Sequence, residues 1–275
     1  MHTRTSLVEI VVGVVVFKKT IRTLQSEFPF LKEVKDTFLL YWRRTLRIPH
    51  ESDFWALKLI TEVFEGHYVD IGANQGQSIE SIRLFVRDAR IIAFEPNPSL
   101  FRRLKRRYGR DKRIEIRGLA LSDEQRTAKL YVPVYCGFVY DGLASLDRDE
   151  AASWISGERV FWFRPARLEI SEVQCETTTL DDQDIDDVLF MKIDVQGTEF
   201  EVVKGAFHVL KRDEPILMIE NGEDRRLVDL LSDMGFSEYS FDGSAFTKVT
   251  HRSLNSFFMT GRRYSSIQAT QRRGS

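Results

Sequence analysis

Three carboxylates close apolar runs in this chain: Asp70 in YVDIGANQG, Glu95 in AFEPN and Asp194 in VLFMKIDVQG. After Asp70 the chain turns through Gly72 and Gly76, four residues apart. Glycine at 72 lets a ligand approach the backbone, and glycine at 76 lets the following helix pack closely. That is the layout of a nucleotide-type pocket, although the same glycines also suit a βα turn with no ligand. The spacing is not the GxGxxG dinucleotide fingerprint, and the Lys-Ser/Thr pair of a phosphate-binding loop is missing, so a pyrophosphate is disfavoured. A carboxylate ahead of the turn repels anions and draws a cation or a polar amine. Glu95 follows Asp70 by about 25 residues, near the spacing at which an acid offers a bidentate acceptor to a ribose diol. Its bland alternative is a helix-capping acid. Asp194 should project from the carboxyl edge of the same sheet, where open α/β sheets bind ligands. Together the three suit a ligand with a ribose and a positive centre.

The elements that must position these acids alternate along the chain. Apolar, β-branched runs at 67–71, 90–94, 114–117, 188–193 and 215–220 read as parallel strands covered on both faces. Asn97 and Pro98 predict a helix start after the second strand, with Leu100, Phe101, Leu104 and Tyr108 on its buried face. Thr198 and Glu201 have capping-box spacing, and Val202, Val203, Ala206 and Leu210 supply that helix's buried stripe ahead of Lys211 and Arg212. Strand and helix in alternation predict a doubly wound sheet with right-handed crossovers.

With 275 residues, 43% hydrophobic and 29% charged, the composition is that of a globular domain and excludes collagen-like or wholly disordered chains. Lys and Arg total 40 against 41 for Asp and Glu, so no global field favours a polyanion. No repeat is visible. Cys136 and Cys175 have neither metal-ligand nor CxxC spacing, which fits a reduced, cytoplasmic protein. The apolar run at 7–17 is far shorter than the roughly 20 residues of a membrane span. It is followed by Lys18 and Lys19 rather than a cleavage site, so it reads as a packed segment with no stable membrane insertion. Residues 1–60, carrying Trp42 and Trp55, are expected to form a helical cover on a domain spanning 61–260. An aromatic-rich insertion at about 133–170 has the character of a lid. The basic stretch 261–275 reads as a flexible tail.

At this point the sequence resembles the FkbM family of S-adenosylmethionine-dependent methyltransferases. The resemblance is carried by YVDIGANQGQS (68–78), AFEPNPSLFRRL (93–104), GLALSD (118–123), TTTLDD (177–182), MKIDVQGTEFEVVKGA (191–206) and PILMIEN (215–221), in family order. It implies a Rossmann-like class I methyltransferase fold, a mostly parallel seven-stranded sheet with helices on both faces. It also implies S-adenosylmethionine as cofactor, held through Asp70, Gly72, Ala73, Asn74, Gly76, Glu95, Pro96, Asn97, Ala120, Asp123 and Asp194. In that reading the methionine part lies near Asp70, Gly72 and Asn74, the ribose at Glu95, the adenine by Ala120 and Asp123, and the sulfonium and acceptor by Asp194. Gln196 stands where many relatives carry Glu, and Glu199 matches an acidic position two residues after Gly197.

Methyl transfer from a sulfonium is an in-line displacement, so alignment and exclusion of water dominate. An alcohol acceptor also needs a base for its proton. Asp194 is the first candidate and His50 the second, while His67, His208 and His251 sit where no chemistry is expected. No His or Cys cluster has metal spacing, so no metal is implied. The resemblance implies O-methylation of a hydroxyl on a glycan, secondary metabolite or other small molecule. Two rivals remain in view. The stretch Arg102 to Arg117 packs nine Lys or Arg against Asp111 and Glu115, as an RNA methyltransferase or nucleic-acid-binding module would, or simply as a solvated helix face. A non-catalytic, cofactor-binding relative would keep the same pocket.

Overall fold

The computed structural model describes residues 42, 46–220, 224–248 and 255–274. The apolar run at 7–17, His251 and most of the N-terminal cover lie outside the described residues. Among those described, twelve strands form two sheets. The large sheet contains β1 (His67–Ile71), β2 (Ile91–Phe94), β3 (Ile114–Arg117), β8 (Val188–Ile193), β9 (Ile216–Glu220), β10 (Phe236–Phe241), β11 (Phe246–Lys248) and β12 (Asn255–Thr260). The small one contains β4 (Ala120–Leu121), β5 (Arg126–Tyr135), β6 (Phe138–Val139) and β7 (Leu168–Thr178).

Strand order in the large sheet is β11-β10-β12-β9-β8-β1-β2-β3. From β3 to β9 all neighbours are parallel; β12 runs antiparallel to both β9 and β10. The α/β architecture is as expected, but the sheet has eight strands where seven were expected. The eighth, β11, pairs antiparallel with β10 across the tight turn at Asp242 and Gly243. Asp242 Oδ1 accepts from the N–H groups of Ser244 and Ala245, both at 2.8 Å, and Gly243 takes φ +99°. An Asp-Gly turn of this kind closes a hairpin.

Helices α1 (Leu57–Thr61), α2 (Gln77–Phe85), α3 (Pro98–Tyr108), α4 (Arg148–Ser153), α5 (Glu199–Lys204), α6 (Phe207–Asp213), α7 (Arg225–Asp233) and α8 (Gly261–Gly274) complete the chain. The period-2 alternation of the strands sorts the core into two layers. Tyr68, Phe190, Met218 and Phe257 face Phe54, Leu57, Ile79, Ile82 and Ile267. Val69, Met191, Leu217 and Phe258 face Val202, Val203, Leu210, Leu227 and Leu231 of α5, α6 and α7. All six residues of β8 are buried, as a strand covered on both faces requires. Each of its five apolar side chains contributes about 1.5–3 kcal/mol. Among the described residues no helix is long and apolar enough to cross a membrane.

Two local readings change. α3 starts as expected, with Asn97 Oδ1 accepting from Ser99 N–H at 3.0 Å. The helix after Thr198 does not: Thr198 makes no side-chain cap, and the chain breaks at Gly205 into α5 and α6. A Cβ at Gly205 would lie 1.9 Å from the Ser122 carbonyl oxygen, so the helix yields to a close backbone crossing. Residues 261–274, read as a flexible tail, form α8. Ile267 is fully buried there and Tyr264 stacks on Tyr239 at 4.5 Å, while Arg263 donates to the carbonyls of Asp213 and Glu214.

β5 and β7 form a long antiparallel ribbon from Arg126↔Thr177 to Tyr135↔Leu168. Within residues 133–170, Tyr135, Phe138, Tyr140, Ile155 and Val160 pack on one another, while Trp162 points into solvent, 84% exposed.

Candidate active site

The turn after β1 is clamped between the ends of β8 and β2. Asp194 N–H donates to Ile71 O, and Gly72 and Ala73 N–H both donate to Phe94 O, all at 3.0 Å. Gly72 takes φ +85° there, a conformation that L side chains rarely adopt. Asn74, at φ +48°, donates its N–H to Glu95 Oε2 at 2.7 Å; Asn97 N–H donates to Glu95 Oε1 at 2.8 Å. One carboxylate therefore ties the first turn to the start of α3. Glu95 is 5% exposed, and burial pushes it up to about 8 even though both N–H bonds favour the charge.

Asp70 is completely buried, and neither of its oxygens has a hydrogen-bond partner; the nearby Ser78 hydroxyl does not meet hydrogen-bond geometry. Burial lifts Asp70 to about 7, with the Lys192 ammonium pulling it down and Asp194 pushing it up. Register sets Asp70 on β1 directly beside Lys192 on β8. Lys192 is itself fully buried, a position an ammonium tolerates only when paired. Its Nζ lies 3.7 Å from Asp194 Oδ2 and donates to Asn255 Oδ1 at 3.2 Å. Asn255 in turn donates to Glu51 Oε2 at 3.0 Å and Asp53 Oδ2 at 2.8 Å.

Asp194 accepts from Gln196 Nε2 at 2.8 Å. Burial opposes its ionisation, but Lys192, the Glu220 carboxyl and Gln196 outweigh it and hold Asp194 below the ordinary value. Glu220, at the end of β9, is pushed up to about 8 by burial and by Asp194. Glu199 accepts from Gly197 N–H at 3.1 and 3.2 Å and is raised by burial. It holds the Gln196-Gly197 turn from behind.

Gly72, Asn74, Glu95, Pro96, Ala120 and Asp194 line one cleft of about 620 Å³, open mouth included. Asp70 lies beneath it and Ala73 is buried behind the turn. Gly76 serves packing instead: a Cβ there would meet the Tyr108 hydroxyl at 2.7 Å. Asn97 is the cap of α3. Asp123 is turned away, its carboxylate drawn to Lys204 Nζ at 2.7 Å, so of the two expected adenine residues Ala120 reaches the cleft, flanked by Leu119 and Leu121, and Asp123 does not. The His50 ring lies 3.9 Å from Glu51 Oε1 and is near enough to favour the ionised form of Asp194.

Sequence reading missed Asp141, Gly142, Leu130 and Leu146, which the small sheet folds over the cleft. Gly142 sits so close to the Asn74 amide that a Cβ would come within 2.6 Å of Nδ2. Lys192 and Glu220 were missed too, although a lysine inside VLFMKI is itself a signal. Among the described residues no group of three or more His, Cys, Asp or Glu is arranged to hold a metal.

Solved structures similar to the chain include a methyltransferase FkbM from Methylobacillus flagellatus KT, at 16% identity and a TM-score of 0.45, over 75% of this chain and 47% of that one. This chain thus spans about half of that protein. A precorrin-6y C5,15-methyltransferase from Geobacter metallireducens GS-15 is 12% identical, with a TM-score of 0.37 over 74% of this chain and 84% of that one. A SAM-dependent O-methyltransferase from Thermotoga maritima is 10% identical, with a TM-score of 0.38 over 76% and 64%. No curated protein matches the chain. The methyltransferase FkbM domain matches residues 70–238, well over half of the sequence and the whole of the cleft's β1, β2 and β8 edge from Asp70 onward, and the chain belongs to that family.

Proposed function

We propose that the chain transfers a methyl group from S-adenosylmethionine to a neutral hydroxyl on a glycan, secondary metabolite or other small molecule. The observation that carries this reading is a set of orphaned polar atoms at the cleft. Both oxygens of Asp70, Asn74 Oδ1 and Gln196 Oε1 are buried without partners. Each such atom costs about 1–3 kcal/mol, so the site calls for a ligand rich in donors and positive charge.

The residues fit that cofactor. Glu95 offers a carboxylate to the ribose hydroxyls, and Asp70 and Asn74 offer acceptors to the methionine ammonium. Phe94, Leu119, Leu121 and Leu130 give apolar walls for a purine. When bound, S-adenosylmethionine supplies an electrophilic methyl carbon. The chain's own work is to orient the acceptor, exclude water and remove a proton. Asp194, partly exposed at the cleft and held ionised by Lys192, takes the acceptor hydroxyl's hydrogen bond. Glu95, Asp141 and Asp194 line the cleft and make it hostile to phosphate, which supports a neutral acceptor over RNA.

The test is transfer of labelled methyl from S-adenosylmethionine across a panel of neutral hydroxylated glycans and metabolites, with amines and RNA beside them. Label in a methyl ether supports the reading; label confined to amines or RNA, or no transfer, overturns it.

A further inference from the structure

We infer that Glu220 is a positioning residue for deprotonation, standing behind Asp194 as the final holder of the proton that Asp194 draws from the acceptor hydroxyl; this rests on the O-methylation reading above. The inference begins with register. β8 and β9 are parallel, with Lys192 beside Met218 and Ile193 beside Ile219, which brings Asp194 and Glu220 side by side at the carboxyl edge. Each carboxyl acts on the other's ionisation, Asp194 raising Glu220 and Glu220 helping to keep Asp194 charged. Two carboxyls set side by side tend to share one proton, because two neighbouring anions repel.

The surroundings decide which member keeps the charge. Lys192, fully buried, has its Nζ 3.7 Å from Asp194 Oδ2. His50 also acts on Asp194. Glu220 faces Asp194 and Lys192 from β8 and Glu51 from the segment before residue 52, with Asn255 opposite it on β12. Asp53 is tied to the same Asn255 amide, and Asp70 adds its charge to Lys192 from β1. One ammonium thus faces several acids, and the least compensated of the pair is Glu220. Paired acids pushed apart in this way divide the acid and base roles.

Glu220 is also the partly exposed end of the chain of groups, whereas Lys192 has no path to water. In turnover the acceptor oxygen would form its bond to the methyl carbon as the sulfonium's S–CH3 bond breaks, leaving the neutral thioether S-adenosylhomocysteine, and the acceptor O–H bond breaks. The proton passes to Asp194 Oδ, then along the carboxyl pair to ionised Glu220, and from there to solvent. The competent state is the fully ionised pair, so burial, which lifts Glu220 to about 8, sets the acid limb of the rate.

The experiment compares the wild-type chain with Glu220→Gln, which keeps the side chain's size but cannot take a proton. Wild-type kcat should rise about tenfold per pH unit up to about pH 8 and level off. In Glu220→Gln that limb should vanish, with kcat at about pH 9 lowered at least tenfold and S-adenosylmethionine affinity within about twofold of wild type. An unchanged pH profile would overturn the relay, as would equal losses in affinity and kcat. A readout independent of turnover is the ¹³C carboxyl shift of Glu220 in the wild-type chain. Titration near 8 that drops in Asp194→Asn supports the pair, and titration in the ordinary carboxylate range overturns it. Absence of methyl transfer by the wild-type chain would sink the O-methylation reading itself; transfer with an ordinary Glu220 titration would sink the relay alone.

Discussion

Gly72 and the Asp194 carbonyl approach so closely that a Cβ at position 72 would fall 1.9 Å from that oxygen. The contact fixes the first turn against the end of β8, and it is why Asn74 and Asp194 border one cleft with Asp70 buried beneath it. Gly72→Ala should therefore force the two strands' ends apart. The left-handed φ alone costs about 1–3 kcal/mol, and the backbone clash adds to it. Thermal unfolding should show a melting temperature lowered by several degrees, with cofactor affinity falling in parallel. An unaltered melting temperature would mean that the turn is loose.

Glu95→Gln isolates the carboxylate. The amide retains one acceptor oxygen for the two N–H groups of Asn74 and Asn97, and loses the charge that strengthens a bond to a ribose hydroxyl. Affinity for S-adenosylmethionine should drop by about 10- to 100-fold, the worth of one charge-assisted hydrogen bond. Calorimetry reads this directly, and an unchanged affinity would remove Glu95 from the ribose site.

The pH dependence of binding follows from Asp70 and Glu95, raised to about 7 and about 8 by burial. Both folded values exceed the unfolded ones, so between about pH 4 and about pH 8 the folded chain holds the extra protons. Their contribution to stability is present at the acid end of that window and declines as pH rises, by up to about 1.4 kcal/mol per unit for each group. A cationic, hydroxyl-bearing ligand prefers the ionised carboxylates, so S-adenosylmethionine affinity should climb from about pH 6 to about pH 8 with release of protons. Titration in buffers of different ionisation enthalpy counts those protons. Proton uptake, or a flat affinity, would contradict the assignment.

Lys192→Met removes the ammonium that Asp70, Asp194 and Glu220 share while keeping the side chain's bulk. Breaking a buried pair in this way typically costs about 3–5 kcal/mol. The loss should be greater at about pH 8 than at about pH 5, since more of the abandoned carboxyls are then ionised. Urea unfolding at both values would show it; equal stability at the alkaline value would mean the acids are neutralised by other means.

Much of this was legible in the residues. β1, β3 and β8 begin and end where their largely apolar runs do. Asp70 near the end of β1, and Glu95 and Asp194 directly after β2 and β8, were visible because each stands against a run of apolar residues. The small sheet's contribution was not: Leu130 reaches the cleft through β5–β7 pairing with Val173, far along the chain, and Asp141 follows β6, so neither leaves a local pattern. Asp123 carried the right motif, but Lys204, distant in sequence, captures its carboxylate. Thr198 had the right capping spacing, yet Gly197 at φ +95° presents its N–H to Glu199 and the Thr198 side chain makes no cap. Lys192 was the clue left unread, since a charge inside a doubly covered strand must have partners.

Calorimetric titration of the wild-type chain with S-adenosylmethionine and S-adenosylhomocysteine, with Glu95→Ala alongside, is the most direct trial of the acid-lined cleft. Saturable binding of both ligands at one site, weakened at least tenfold in Glu95→Ala, is the expected result. Failure of the wild-type chain to bind either ligand would contradict it and leave a methyltransferase fold that does not bind this cofactor.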